Sequence, residues 1–117
     1  MFQKDMKISL LLDFYGELLS EHKREAIELY YDDDLSLAEI AEQMDISRQG
    51  VRDLIKKGEA QLTEYEEKLG LARRFSDLGD AINAASKEIY RIASEEDDRS
   101  RAERLENIAK TLTGLSI

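Results

Sequence analysis

Between positions 36 and 57 the chain carries Ser36, Ser47, Arg48, Gln49, Arg52, Lys56 and Lys57, side chains whose chemistry suits nucleic acid. An arginine guanidinium can donate two parallel hydrogen bonds to guanine O6 and N7, and a glutamine amide can pair in the same bidentate way with adenine. Lysine ammonium groups and serine hydroxyls suit phosphate oxygens instead. Arg48, Gln49 and Arg52 are therefore the candidate base-reading residues, and Ser36, Ser47, Lys56 and Lys57 the candidate phosphate contacts. The order fits a helix that enters a major groove by its N-terminal end, with readers in the first turns and cations behind them. The competing interpretation is a solvated helix face that binds nothing.

A reading helix needs a platform, and "SLAEIAEQMDISRQGV", residues 36–51, has the layout of a helix-turn-helix. Ser36 and Glu39 make the S-x-x-E pattern of a capping box, which satisfies two orphan amides reciprocally. Ala41 is the small residue at the helix crossing, with Ile40 and Met44 packing beneath it. Asp45 takes the turn position, where a left-handed backbone is needed and Asp tolerates it better than most residues. Ile46, Val51 and Leu54 are the expected anchors of the second helix, which Ser47 caps.

The surrounding charge opposes an anionic ligand. The formal net charge is −9; residues 1–35 contribute −5, residues 36–62 −1 and residues 63–117 −3. Within 47–62, however, Arg48, Arg52, Lys56 and Lys57 outnumber Asp53 and Glu59, so the reading helix is a locally positive stripe in a negative field. That field weakens binding and makes it salt-sensitive, and a dimer or a helper is expected. Gly50 and Gly58 lie inside the same helix, each costing about 1 kcal/mol relative to alanine.

Other chemistry is poorly supported. There is no cysteine, so neither disulfides nor thiolate zinc sites arise. His22, the single histidine, has only acids such as Glu25 at helical spacing, and no metal or other cofactor is expected. Asp33 with Asp34, and Glu95 through Asp98, read as solvated loop charge, and Tyr30 with Tyr31 as core and rim packing. Without a glycine-rich phosphate loop or a nucleophile elbow, no enzyme is expected. "MFQKDMKISLLLDFY" is not a signal peptide, and no apolar run approaches the roughly 20 residues of a membrane span. A soluble cytoplasmic protein without membrane insertion is expected.

Absent proline and plentiful Leu, Ile, Ala, Glu and Lys favour an all-α fold. Apolar spacing predicts helices over 5–19, from Glu21 to about Tyr31, from Ser36, from Ser47 to Gly70, beyond Gly70, and a last one around Ala102–Leu115. The long fourth helix carries a seam of Val51, Ile55, Leu62, Tyr65 and Leu69. After Gly70, the positions Leu71, Phe75, Leu78, Ile82, Ala85, Ile89 and Ile92 alternate steps of four and three, the coiled-coil signature. Residues 1–70 therefore read as a helix-turn-helix head and 71–117 as a helical tail, a dimerisation or hairpin element.

The wording "LLDFYGELLSEHKREAIELYYDDDLSLAEIAEQMDISRQGVRDLIKKGEAQLTEYEEKLGL", within a resemblance that covers roughly residues 8 to 71, resembles the YlxM family of small bacterial helix-turn-helix proteins. The resemblance implies a fold similar to region 4 of bacterial sigma factors. It also implies a regulatory place in the signal recognition particle pathway, inferred for the family from its gene lying beside those of the particle's GTPase and receptor. Gly50 stands where the family usually has alanine, and Arg52 where an aromatic is common. Two functions follow as expectations: a DNA-binding regulator acting as a homodimer, or an interaction module that modulates the particle's GTPase or its RNA without binding DNA.

Overall fold

The computed structural model describes residues 4–115, which form six α-helices and one 3-10 turn, with no strand among the described residues. The all-α, helix-turn-helix fold is thus the one observed. The chain divides into two compact units, residues 1–72 and 73–117.

In the first unit α1 (Met6–Tyr15) starts at Asp5, whose carboxylate accepts from the Lys7 amide at 2.9 Å. It buries Ile8, Leu11, Leu12 and Tyr15, the i, i+3, i+4, i+7 face of a core helix. The sequence predicts this helix as far as residue 19. Instead the chain tightens into the 3-10 turn Gly16–Leu18, where a glycine supplies no helical propensity; Leu19 turns inward while Leu18 stays exposed. Helix α2 (Glu21–Tyr31) is capped by Ser20 and buries Ala26, Ile27, Leu29 and Tyr30. It ends at the acidic run, where Asp34 takes φ 60° and pairs with Lys4, whose ammonium also lies 4.6 Å from the Tyr30 ring centre.

Helices α3 (Leu37–Met44) and α4 (Arg48–Leu69) follow. The seam of α4 is satisfied inside this unit: Val51, Ile55 and Leu62 are fully buried in one core with residues of α1, α2 and α3. Leu69, at its far end, is exposed. Gly58 is the exception to its sequence-level cost. A Cβ there would stand 2.3 Å from Ile27 Cδ1 and 3.4 Å from Ile27 Cγ1, and Ile27 is itself fully buried. The missing side chain lets α2 and α4 approach. Gly58→Ala is expected to lower stability by about 1 kcal/mol net, overpacking outweighing the gain in helix propensity. Adding Ile27→Val, which removes the clashing methyl, should recover part of that loss in urea unfolding. A more stable single variant would show that the crossing has room.

The second unit is a helical hairpin. Helix α5 runs Leu71–Glu95, its first two residues belonging to the first unit, and α6 runs Arg99–Gly114 behind an Asp98 cap that accepts from Ser100 and Arg101 amides. The α5 residues fully buried in this unit are Ser86 and Ala93; of the four-three seam, Ile82 and Ile89 are half-buried while Leu78 and Ile92 are exposed.

Candidate nucleic-acid interface

The motif closes as its composition demands. Ser36 Oγ accepts from the Glu39 amide at 3.1 Å while the Glu39 carboxylate accepts from the Ser36 amide at 3.0 Å. That backbone donor holds the Glu39 carboxyl below the usual glutamate range. Asp45 adopts φ 56°, ψ 48°, the left-handed turn position, and the Ile46 amide donates back to the Ala41 carbonyl at 3.0 Å. Ile40 and Ala41 are buried against Val51. Of the three expected anchors Val51 is fully buried, Leu54 packs half-buried against the core and Ile46 is 40% exposed; Ile55, one turn beyond Val51, is fully buried beside them.

Ser36 and Ser47 sit at the N-caps of the two motif helices. Ser47 Oγ accepts from the Gly50 amide at 2.9 Å, so each hydroxyl oxygen is used in its cap and the O–H remains the group to offer a phosphate. Along α4, residues four apart share a row. Arg48, Arg52 and Lys56 make one row, cationic throughout, about 12 Å long at 1.5 Å per residue. Gln49, Asp53 and Lys57 make the neighbouring row, and there Gln49 Nε2 donates to Asp53 Oδ1 at 3.0 Å. The structure therefore groups Arg48, Arg52 and Lys56, but separates Lys57 from them by an acid and engages the Gln49 amide. Arg48, Gln49, Lys56 and Lys57 are exposed and Arg52 is half-buried.

Arg48 is the first residue of α4, and that helix has no acid in its first turn. A cation there faces the positive end of the helix dipole, an arrangement unfavourable by about 0.3–1 kcal/mol.

The row's far end holds a group that charge counting hides. Glu59, three residues past Lys56, is half-buried, and its Oε1 finds no hydrogen-bond partner among the described residues. Burial raises its carboxyl above the usual range, while the Tyr31 hydroxyl pulls it partly back; Asp5 pushes it up and Lys56 down. Tyr31 in turn accepts from the Asp5 amide at 3.2 Å. A carboxyl whose folded pKa is raised favours the fold when protonated, and that contribution is lost as pH rises through the raised value. Glu59→Gln should accordingly raise Tm more at about pH 7 than at about pH 4; equal shifts at both would mean that the carboxylate is adequately solvated. Nothing in the linear sequence marks Glu59, because Asp5 and Tyr31 reach it from other helices.

Among the described residues no group of three or more His, Asp and Glu side chains is placed to hold a metal, and no helix is long and apolar enough to cross a membrane. Two short-linked helices, the second buried on one side with a cationic row along its flank, define a helix-turn-helix protein. Residues 2–104 match the profile of UPF0122, described as "Putative helix-turn-helix protein, YlxM / p13 like", and the chain belongs to that family. It is 42% identical over 110 residues to a UPF0122 protein of Thermoanaerobacter sp. (strain X514), covering 94% of each chain. A UPF0122 protein of Halalkalibacterium halodurans is 41% identical over 92% of this chain and 99% of its own. One of Desulforamulus reducens is 59% identical over 70 residues, 60% of each.

Proposed function

We propose that the protein is a non-enzymatic, cytoplasmic regulator that binds duplex DNA through α4, acts as a pair of copies, and serves genes connected with the signal recognition particle pathway. The observation that carries this reading is the unbroken cationic row Arg48–Arg52–Lys56, which runs along the flank of a helix whose buried side, Val51, Ile55 and Leu62, lies about 100° round from it. Anchoring of that kind fixes the row in direction, and a row of about 12 Å matches the rise of three to four base pairs. One such row in a molecule of charge −9 neutralises few phosphates. Pairing doubles the contacts, which is why two copies belong to the proposal.

Selection of bound sequences from random duplex DNA at two salt concentrations tests it: enrichment of a shared half-site, weakening steeply with salt, is expected. Failure to enrich any duplex overturns it.

A second reading, a module acting on the particle's GTPase or RNA, is favoured by the carboxylates that border the row, Asp53 engaging Gln49 and Glu59 lying beyond Lys56. Capture of those components by the chain, undiminished by replacing both Arg48 and Arg52, would select it over the first.

A further inference from the structure

We propose that the α5–α6 hairpin is a self-association surface whose occupant is the same hairpin of a second copy. The four helices form a bundle about a two-fold axis parallel to them. This deepens the paired state of the proposed function and rests on that pairing, not on nucleic-acid binding.

The hairpin is held by small residues. Ser86 Oγ donates to the Ala109 carbonyl at 3.0 Å and lies 2.8 Å from Thr113 Oγ1, and Ser86, Ala93 and Ala109 are buried. Ile82, Ile89, Leu105 and Leu112 flank this line half-buried, while other large apolar side chains stand beside it exposed. On α5, Leu78, Ala85 and Ile92 lie one residue before the Gly79, Ser86, Ala93 row, hence about 100° round the helix. On α6, Ile108 stands one residue before Ala109, displaced in the same rotational sense, with Leu105, Leu112 and Leu115 in its row.

The two helices run antiparallel through the short link Glu96–Asp98. Equal displacement in one rotational sense from the contact line then brings both rows out on the same side of the hairpin. There Leu78 is 53% exposed, Ile92 46%, Ile108 51% and Leu115 65%. An open hollow of about 250 Å³ lined by Glu96, Arg101, Arg104, Leu105 and Ile108 gives a partner side chain a seat. The opposite side carries Asn83, Lys87, Glu103, Glu106 and Lys110, with the Tyr90 ring, 40% exposed, its large apolar member. A two-helix apolar face with a polar back is the half-core of a four-helix bundle.

Charge on the rims identifies the occupant. The α5 rim of the face carries Glu88 and Glu95; on α6, Arg104 stands on the rim, and Arg101, which pairs with Asp98 at 3.9 Å, ends the Ile108 row at the link. Glu88 also meets Arg91 of its own helix at 2.5 Å, an exposed pair weak enough to be shared. A two-fold axis parallel to the helices lays α5 of one copy over α6 of the other at the same height, so acidic rim meets basic rim twice. An axis across the helices would lay acid on acid. The face is thus complementary to itself in one orientation.

Sedimentation of the full chain at tens of micromolar tests this. The expected species is a dimer, and Ile108→Glu, at an exposed position, should give a monomer with unchanged helicity. Arg101→Glu with Arg104→Glu, and separately Glu88→Arg with Glu95→Arg, should each weaken self-association at least about tenfold. Mixing the two charge-reversed chains should restore a heterodimer, because both rim pairs are then opposite again. A monomeric wild type overturns the surface and the paired state together. A dimer indifferent to Ile108→Glu overturns the surface and leaves pairing intact, and charge-reversed chains that fail to recover on mixing overturn the orientation.

Discussion

Replacing Arg48 and Arg52 together by alanine is expected to lower affinity for a selected duplex by at least about thirtyfold, since each bidentate base contact contributes about 1–3 kcal/mol of discrimination. Helicity and Tm should change little. Arg48 is exposed and Arg52 only half-buried, while the core beneath them is made by Val51 and Ile55. Removal of Arg48 also relieves its repulsion from the helix N-terminus, so a slight gain in stability beside a loss of binding is the signature of a functional residue. Lys56→Ala provides the contrast: a phosphate contact should cost all sequences similarly and reduce the salt slope by about one. Equal loss on random and selected duplexes in the double-arginine variant would reassign both arginines to phosphate contacts. Unchanged affinity would remove them from the interface.

Tyr15→Phe is expected to lower the Tm of the first unit by roughly 5–15 °C, an effect large for a single oxygen atom. The Tyr15 side chain is buried, and its hydroxyl donates to Glu66 Oε1 at 2.7 Å while accepting from the Leu71 amide at 3.0 Å. The same Glu66 oxygen accepts from the Ala72 amide at 3.0 Å. The first two amides of α5 are therefore capped by a side chain from α1 and one from α4. Burial, and then the Glu66 carboxylate, raise the phenol above its ordinary value, so it remains a donor. Phenylalanine would keep the ring against Tyr65, whose centre lies 5.9 Å away, yet leave the Leu71 amide without its acceptor. Faster hydrogen exchange at Leu71 than at Leu62 would locate the damage. A Tm within a degree or two of wild type would show that water replaces the hydroxyl.

What the sequence made legible was local. Ser20, Ser36 and Ser47 are N-caps, Gly70 takes the left-handed cap at φ 63°, and Asp45 takes the turn. Each depends on residues within a few positions, so type and spacing suffice. What it concealed depends on distant partners. Tyr15 and Glu66 stand 51 positions apart, and nothing in either neighbourhood marks them as one cap. Gly58 reads as a cost until Ile27 is seen against it.

The tail's seam illustrates a different limit. Periodicity identified Leu78, Ile82, Ala85, Ile89 and Ile92 as one face, but two adjacent rows at helical spacing compete for burial within the hairpin. The small row takes the centre, where Ser86 reaches the Ala109 carbonyl; Ile82 and Ile89 flank it half-buried, and Leu78 and Ile92 are left exposed. At the candidate site the residue types were legible, but their grouping was not: Lys57 and Gln49 fall in the row interrupted by Asp53.

The most direct measurement is an NMR titration of the full-length, isotope-labelled protein with a selected duplex, followed residue by residue. Binding through α4 predicts that the largest amide shifts fall from Ser47 to Arg52 and continue to Lys56, with smaller ones at Ser36. Shifts confined to α5 and α6, or none at a duplex concentration that saturates the wild type by an independent assay, would contradict the assignment of this helix as the reader.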